Sequence, residues 1–282
     1  MLRVGDNHCH LNPVRGMGVR AFAKRFRSAG GWFVGLVNLT SWSLGVTARE
    51  PSDYERVYEA TLGAARELRE EGLAVAVILG PHPAELARMV ESGVRPERGR
   101  DVVMRAYELA AEYVRRGEAD GLGEVGRPHW SAPPAVVRAC NEVLERVAAL
   151  AEELGCAVHL HVERGGAGTI DDLASRLGRL RGKFVLHHAE GAYAGYARDR
   201  GLIPSVPGRE AEVLAALSGT GDFVVESDFL DDPRRPGAVV APWSIQRLFT
   251  RLIKSGRISE SVAERILVRN VSELYGVEPG DL

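Results

Sequence analysis

Gly5-Asp6-Asn7-His8-Cys9-His10-Leu11 follows the β-type residues Leu2 and Val4, and its two histidines stand two positions apart. On a strand, side chains i and i+2 share a face. His8 and His10 are therefore expected to aim two imidazoles at one point, with Asp6 behind them on that face. Two convergent imidazoles are a common way to hold a divalent metal. Two surface histidines beside a frayed terminus would carry the same spacing, so the remaining histidines decide between the two readings. The chain has 8 histidines: His8, His10, His82, His129, His159, His161, His187 and His188. Nearly all stand at or just past the end of a short apolar run, the runs being 75–79, 121–125, 157–161 and 183–187. A barrel of parallel strands with its chemistry at the C-terminal ends of the strands produces that placement.

Outward from this stretch, short β-like runs alternate with longer amphipathic ones. Strands are expected near 3–8, 32–39, 73–79, 121–125, 157–161, 183–187, 201–206 and 223–227, the seventh having the faintest pattern. Helices are expected near 19–29, 52–71, 84–92, 101–115, 134–154, 170–180, 242–255 and 259–266, with a last turn near 270–275. Ser52 or Asp53 suits an N-cap, and Gly30-Gly31, Gly72 and Gly155 suit helix ends. Residues 32–39 are apolar nearly throughout, as in a strand buried on both faces. The alternation predicts an α/β fold, a (β/α)8 TIM barrel, in a single domain spanning 1–282. A doubly wound open sheet is the alternative. It lacks its glycine fingerprint here: the glycines near 165 follow the fifth strand, and no Walker-type Gly-Lys-Ser/Thr occurs.

The net charge of −2 carries no basic excess of the kind that tight, non-specific nucleic-acid binders show. Nucleic acid remains possible as a substrate, not as something held by bulk charge. The scattered cysteines Cys9, Cys140 and Cys156 have no CxxC spacing, which suggests reduced thiols and a cytoplasmic setting. Cys9 alternates against its histidine neighbours and is expected to face into packing. No targeting segment is visible, and no apolar stretch reaches the ~20 residues that span a bilayer. Arginine far outnumbers lysine and Gln246 is the only glutamine, a bias that fits heat adaptation or genome composition equally well.

Taken in order, the polar residues at the expected strand ends are His8, His10, Glu124, His161, His187 and Asp228. One divalent ion could take His8, His10 and Asp228, a second could take His161 and His187, and Glu124 could bridge them. Such a pair activates water and clamps the oxygens of a phosphoryl or acyl group. Mixed imidazole and carboxylate donors suit Zn, and also Mn, Ni or Co. Each residue has a plainer use: His161 as a core histidine, Asp228 as a helix cap. Their joint occurrence is what points to a metal site.

Asp6-x-His8-x-His10-Leu11, Gly80-Pro81-His82-Pro83, Gly123-Glu124-Val125-Gly126, Leu160-His161, Leu186-His187 and Glu226-Ser227-Asp228 resemble the ordered motifs of the TatD-related metal-dependent hydrolases, in the amidohydrolase superfamily. The closing Arg269-Asn270 and Leu274-Tyr275 are similar to that family's C-terminal signature. The resemblance runs through the whole chain. It implies a (β/α)8 barrel, one or two divalent ions (Zn, Mg, Mn or Ni) and hydrolysis of a phosphodiester or related bond. The family's best-known activity is a Mg-dependent deoxyribonuclease, including 3′-to-5′ exonuclease action; some relatives remove D-amino acids from tRNA. Carried over, His8, His10, Glu124, His161, His187 and Asp228 become metal ligands. Asp228 becomes the general base, Glu124 shares in catalysis as the bridge, and His82 touches the substrate phosphate or leaving group.

The shell around those ligands departs from the family. His-x-Arg after the fifth strand reads His161-Val162-Glu163, with Arg164 one later. The usual His-Cys-Phe-Ser-Gly reads His187-His188-Ala189-Glu190-Gly191, and the fourth strand ends in Gly126-Arg127-Pro128-His129. Arg127 and Arg164 are candidates for an anionic substrate group, since a guanidinium binds phosphate or carboxylate bidentately. His129, on an expected loop, is a candidate substrate contact or a surface residue. His159 is expected one layer below His161, and His188 is expected to turn away from His187. Trp42, Trp130 and Trp243 suit base stacking or rim packing. DNA is the leading expected substrate; a small phosphoester, an amide or an aminoacyl ester on the same centre is the alternative. A non-catalytic scaffold is disfavoured by the complete ligand set, and the oligomeric state is not legible.

Overall fold

The computed structural model describes residues 2–233, 237–238 and 240–280. Eight parallel strands form the wall of a barrel: β1 (Val4–His10), β2 (Gly31–Val37), β3 (Ala74–Leu79), β4 (Gly121–Gly126), β5 (Ala157–His161), β6 (Lys183–Leu186), β7 (Ile203–Pro207) and β8 (Val224–Glu226). Each pairs with the next in chain order. The wall closes through a split eighth strand. After β8 the chain breaks step at Ser227-Asp228, then resumes as β9 (Phe229–Leu230), which lies parallel to β1 with Cys9 opposite Phe229 and His10 opposite Leu230. The Asp228 N–H donates to His8 O at 3.0 Å across the seam. A short β10 (Gly237–Ala238) adds antiparallel to β9.

The helices form because their apolar residues recur at three- and four-residue steps. In the helix Pro134–Leu154 the buried apolar positions are Val136, Ala139, Cys140, Val143, Leu144, Val147, Ala148 and Ala151. That stripe covers the outside of the barrel, and Gly155 in the left-handed region (φ 66°) ends the helix. Cys9 is fully buried in this outer layer, as its alternation predicts.

The expected strands all appear, with shifts of a few residues at their ends. The differences lie elsewhere. The helix expected at 170–180 runs from Gly166 to Leu177, starting inside the glycine-rich turn. Helices Ala194–Asp199 and Glu210–Gly219 were not expected. The second of these has apolar residues on all sides, so it shows no 3.6-residue stripe. The C-terminal pieces form one helical run from Glu260 to Tyr275, with a widened turn over Arg265–Arg269. No helix among the described residues is long and apolar enough to cross a membrane.

Candidate metal centre

The strand ends bring six side chains to one spot. His8 and His10 come from β1, Glu124 from β4, His161 from the last position of β5, His187 from just past β6 and Asp228 from the break after β8. Gly126 makes room for this crowding: its φ is 152°, and a Cβ there would meet His161 O at 1.9 Å.

Distances within the cluster are short. His8 Nε2 lies 3.2 Å from His10 Nε2 and 3.6 Å from Glu124 Oε1. His10 Nε2 lies 3.4 Å from Glu124 Oε2 and 3.5 Å from Asp228 Oδ1. His187 Nε2 is 3.4 Å from Glu124 Oε1, and His161 Nδ1 is 2.9 Å from the same oxygen. Glu124 thus stands between both groups of histidines, the place the sequence reading gives it. Four sets lie close enough to hold a cation: His8, His10 and Asp228; His8, Glu124 and His187; His82, Glu124 and His161; and His187, His188 and Glu226. The first matches the expected site, and the next two redistribute the second: His187 groups with His8, and His161 with His82.

Hydrogen-bond polarity tests whether these residues fit a metal. His10 Nδ1 faces the Val37 carbonyl at 3.1 Å, and a carbonyl only accepts. A ring hydrogen is therefore on Nδ1, and Nε2 is the atom directed at Glu124 and Asp228. His187 Nδ1 likewise donates to Glu226 Oε2 at 2.9 Å. Lone pairs and carboxylate oxygens converge on one space, and only a positive charge relieves them. The donor set fits a divalent ion. Burial lowers His10, yet Asp228 and Glu124 outweigh it and hold the imidazole up at about 9, so near neutrality a proton sits on Nε2, the place a divalent ion would take from it. Burial likewise works against the Asp228 carboxylate, but His10 and His188 keep it far below the ordinary range. Glu124 is also held well down, by His8 and His82 against its burial. Burial keeps His8, His159 and His187 below their usual value.

The cavity above the cluster has a volume of ≈ 540 Å³ and is lined by His10, His82, Glu124, His161, His187 and Asp228. Trp42, Trp130, Asn38 and His129 line it too. It shares His129, His161, His188 and Arg209 with a neighbouring cavity of ≈ 450 Å³ that Arg164 also lines. His82 caps the helix Pro83–Glu91, its Nδ1 accepting the Ala84 N–H at 3.0 Å, so its hydrogen is on Nε2 and it has no free lone pair for the set it forms with Glu124 and His161. His129 Nδ1 lies 2.8 Å from His161 Nε2.

Several expectations need correction. Arg127 is not available to a substrate: it is buried, its Nε and Nη2 bind Glu163 at 2.7 and 2.8 Å, and its Nη1 binds Asp172 and Asn141. A guanidinium with all its nitrogens engaged is a brace between the β4 and β5 loops. Arg164 sits at the cavity edge, half-exposed and paired with Glu212 at 2.6 Å. His188 does not turn away: its φ of 55° swings it back to put Nε2 3.0 Å from Asp228 Oδ2. Asp6 does not lie behind the histidine rings; β1 is irregular between Asp6 and Cys9, and the carboxylate instead accepts from Ser227 N and Oγ at 2.8 and 2.5 Å. Trp243 stacks on Arg25 away from the cavity, with the guanidinium carbon 3.6 Å from the ring centre.

Sequence reasoning assigned no role to Glu226, which is fully buried and accepts the His188 N–H and the His187 Nδ1–H, both at 2.9 Å. Its spacing of two from Asp228 on a strand was the available signal. Asn38 and Tyr107 gave no signal. Asn38 clamps Gly80 through both its N–H and its carbonyl, and Tyr107 OH donates to Pro81 O and Glu124 O.

A closed α/β barrel with imidazoles and carboxylates gathered at its strand ends defines a hydrolase class that works through divalent metal. The comparisons agree and name the branch. The chain matches the TatD related DNase family over residues 5–276, and belongs to that family. It is 29% identical over 285 residues to the uncharacterized protein MJ1127 of Methanocaldococcus jannaschii, covering 98% of this chain and 97% of that one. Among solved structures it is similar to YJJV, a TatD homolog of Escherichia coli K12, with TM-score 0.67, 21% identity, and coverage of 98% and 99%. It is also similar to an uncharacterized amidohydrolase of Saccharomyces cerevisiae, with TM-score 0.66, 12% identity, and coverage of 98% and 100%.

Proposed function

We propose that this single-domain chain is a divalent-metal-dependent phosphodiesterase that acts on a DNA end, with His8, His10, Glu124, His161, His187 and Asp228 as the metal ligands. The observation that carries the metal reading is the convergence at His10 Nε2, which lies 3.2 Å from His8 Nε2, 3.4 Å from Glu124 Oε2 and 3.5 Å from Asp228 Oδ1. When bound, one or two ions (Zn, Mn, Ni or Mg) polarise the scissile group and make water a better nucleophile. The chain's own residues do the rest. Asp228, ionised, accepts the proton of the attacking water as the new P–O bond forms. The bond to the leaving oxygen breaks, and His82 offers its Nε2–H to that oxygen. His129 and Arg164 face the substrate along the second cavity. The neighbouring cavities of ≈ 540 and ≈ 450 Å³, with Trp42 and Trp130 lining the first, suit an extended strand with a stacking base.

A second reading has its own support. Arg127 and Arg164 are both held by carboxylates, which weakens the case for a polyanion clamp. A small ester or amide on the same centre follows from that. Elemental analysis of wild type and Glu124→Ala, then cleavage assays on single- and double-stranded DNA beside an ester and amide panel, separate these readings. Metal that drops sharply in Glu124→Ala, with DNA shortened from an end, is the expected result. For Asp228→Asn, kcat on that DNA is expected to drop by ~10²–10⁴. DNA left intact by metal-loaded protein while an ester or amide is hydrolysed would overturn the DNA reading and leave the hydrolase.

A further inference from the structure

Below the metal cluster lies a polar chain that the hydrolysis reading does not use. His8 Nδ1 faces His159 Nδ1 at 2.9 Å. His159 Nε2 faces Tyr275 OH at 2.7 Å. Tyr275 OH reaches Asn7 Oδ1 at 3.0 Å, and Asn7 Nδ2 reaches Ser205 Oγ at 2.9 Å. His8, Asn7, His159 and Ser205 are all fully buried, so no water competes for these bonds.

The direction of every bond follows from Asn7. Its Nδ2 can only donate, and it does so to Ser205 Oγ, which turns its Oδ1 toward Tyr275. An amide oxygen only accepts, so Tyr275 spends its hydrogen there. The phenol oxygen accepts from His159 Nε2–H, which leaves His159 Nδ1 bare. A bare Nδ1 accepts from His8 Nδ1–H, and the remaining His8 lone pair sits on Nε2, facing Glu124. Reverse the chain and His8 carries its hydrogen on Nε2, where it blocks coordination.

We propose that His159 and Tyr275 are positioning residues that lock His8 in the tautomer whose Nε2 is free to bind a divalent metal. The inference rests on His8 being a ligand, as proposed above. It gives a role to a histidine one layer below the site and to a tyrosine 268 positions from Asn7 in sequence. Two site histidines are then held from behind: His187 by Glu226, and His8 by His159, Tyr275 and Asn7.

The test uses the full-length chain labelled with 15N, with long-range imidazole spectra for wild type and Tyr275→Phe, and Zn2+ affinity by competition with a chelating dye. Wild-type His8 is expected to show hydrogen on Nδ1. In Tyr275→Phe the ring keeps its stacking on Phe33, but His8 is expected to populate both tautomers and Zn2+ to bind ~10–100-fold more weakly. His159→Phe, which removes the relay at another link, is expected to give the same loss. A wild-type His8 with hydrogen on Nε2 overturns the proposal without any variant. So does a Tyr275→Phe protein that melts earlier yet keeps the wild-type tautomer and affinity, since that is a packing effect alone. If wild type binds no Zn2+, the metal reading fails, while the imidazole spectrum still decides whether the tautomer is locked.

Discussion

At the residue scale, Arg127 shows how one side chain of the right type can point to the wrong role. In sequence it follows Gly126 at a strand end, where an arginine suits a phosphate. In space its nitrogens are consumed by Glu163, Asp172 and Asn141. Arg127→Met is therefore expected to lower thermal stability, because it strands two carboxylates beside an apolar stem. Both carboxylates keep some contact with water, so the loss should fall below the ~3–5 kcal/mol of a fully buried broken pair. A substrate-binding arginine would instead raise KM and leave the melting temperature alone, and one melting curve beside one kinetic series distinguishes the two. The effect has a pH signature. Burial works to raise Asp172, but Arg176 and Arg127 outweigh it and hold the group below 3.8. A carboxylate lowered by folding stabilises the fold above its unfolded value, and that stability is lost as the pH falls through the folded one. The gap in melting temperature between wild type and Arg127→Met should thus be full near neutrality and narrow below pH ~4.

At the element scale, the two turns that leave β6 and β8 carry the site's backbone strain. His188 at φ 55° and Asp228 at φ 46° are the non-glycine residues with positive φ among the described residues, and their side chains meet at 3.0 Å. Strain of this kind costs on the order of 1–3 kcal/mol and persists where surrounding structure enforces it. His188→Gly is expected to leave the melting temperature unchanged or raise it while activity falls, since glycine adopts that φ freely but removes the imidazole beside Asp228. A large drop in melting temperature would show that the ring is a packing element instead. These turns also mark where the sequence stops being readable. The strands and the His8, His10, Glu124, His161, His187 and Asp228 cluster were legible because period-2 alternation and strand-end placement are local signals. The reversal at His188 was not, because strict alternation puts neighbours on opposite faces and nothing in His187-His188 announces a positive φ. The commitment of Arg127 was equally hidden, since Asp172 lies 45 positions away and becomes a neighbour only when the barrel forms.

At the scale of the whole molecule, the centre is a seam as much as a site. Its side chains come from β1, β4, β5, β6 and the break after β8, so the cluster exists only when the barrel is complete. The split between β8 and β9 puts Asp228 at the closure itself, where its N–H bonds His8 O. A divalent ion held by His8, His10 and Asp228 would tie the first strand of the wall to the last. The unfolded chain scatters the same ligands over more than two hundred residues and offers no comparable site, so binding energy adds directly to folding stability. A free metal concentration near 100 times Kd is worth ~2.7 kcal/mol by that linkage. For a domain somewhat smaller than this one, each kcal/mol moves the melting temperature by roughly 2–4 °C. Stripping the metal with a chelator is therefore expected to lower the melting temperature by several degrees, and adding back Zn2+ or Mn2+ to restore it in a concentration-dependent way. Glu124→Ala should show a much smaller response to either treatment, because it removes the carboxylate that both histidine groups share. Equal melting temperatures with and without metal would mean that the converging donors do not bind the ion tightly enough to brace the barrel, and the seam would be held by the β1–β9 pairing with the Asp228–His8 and Asp6–Ser227 bonds.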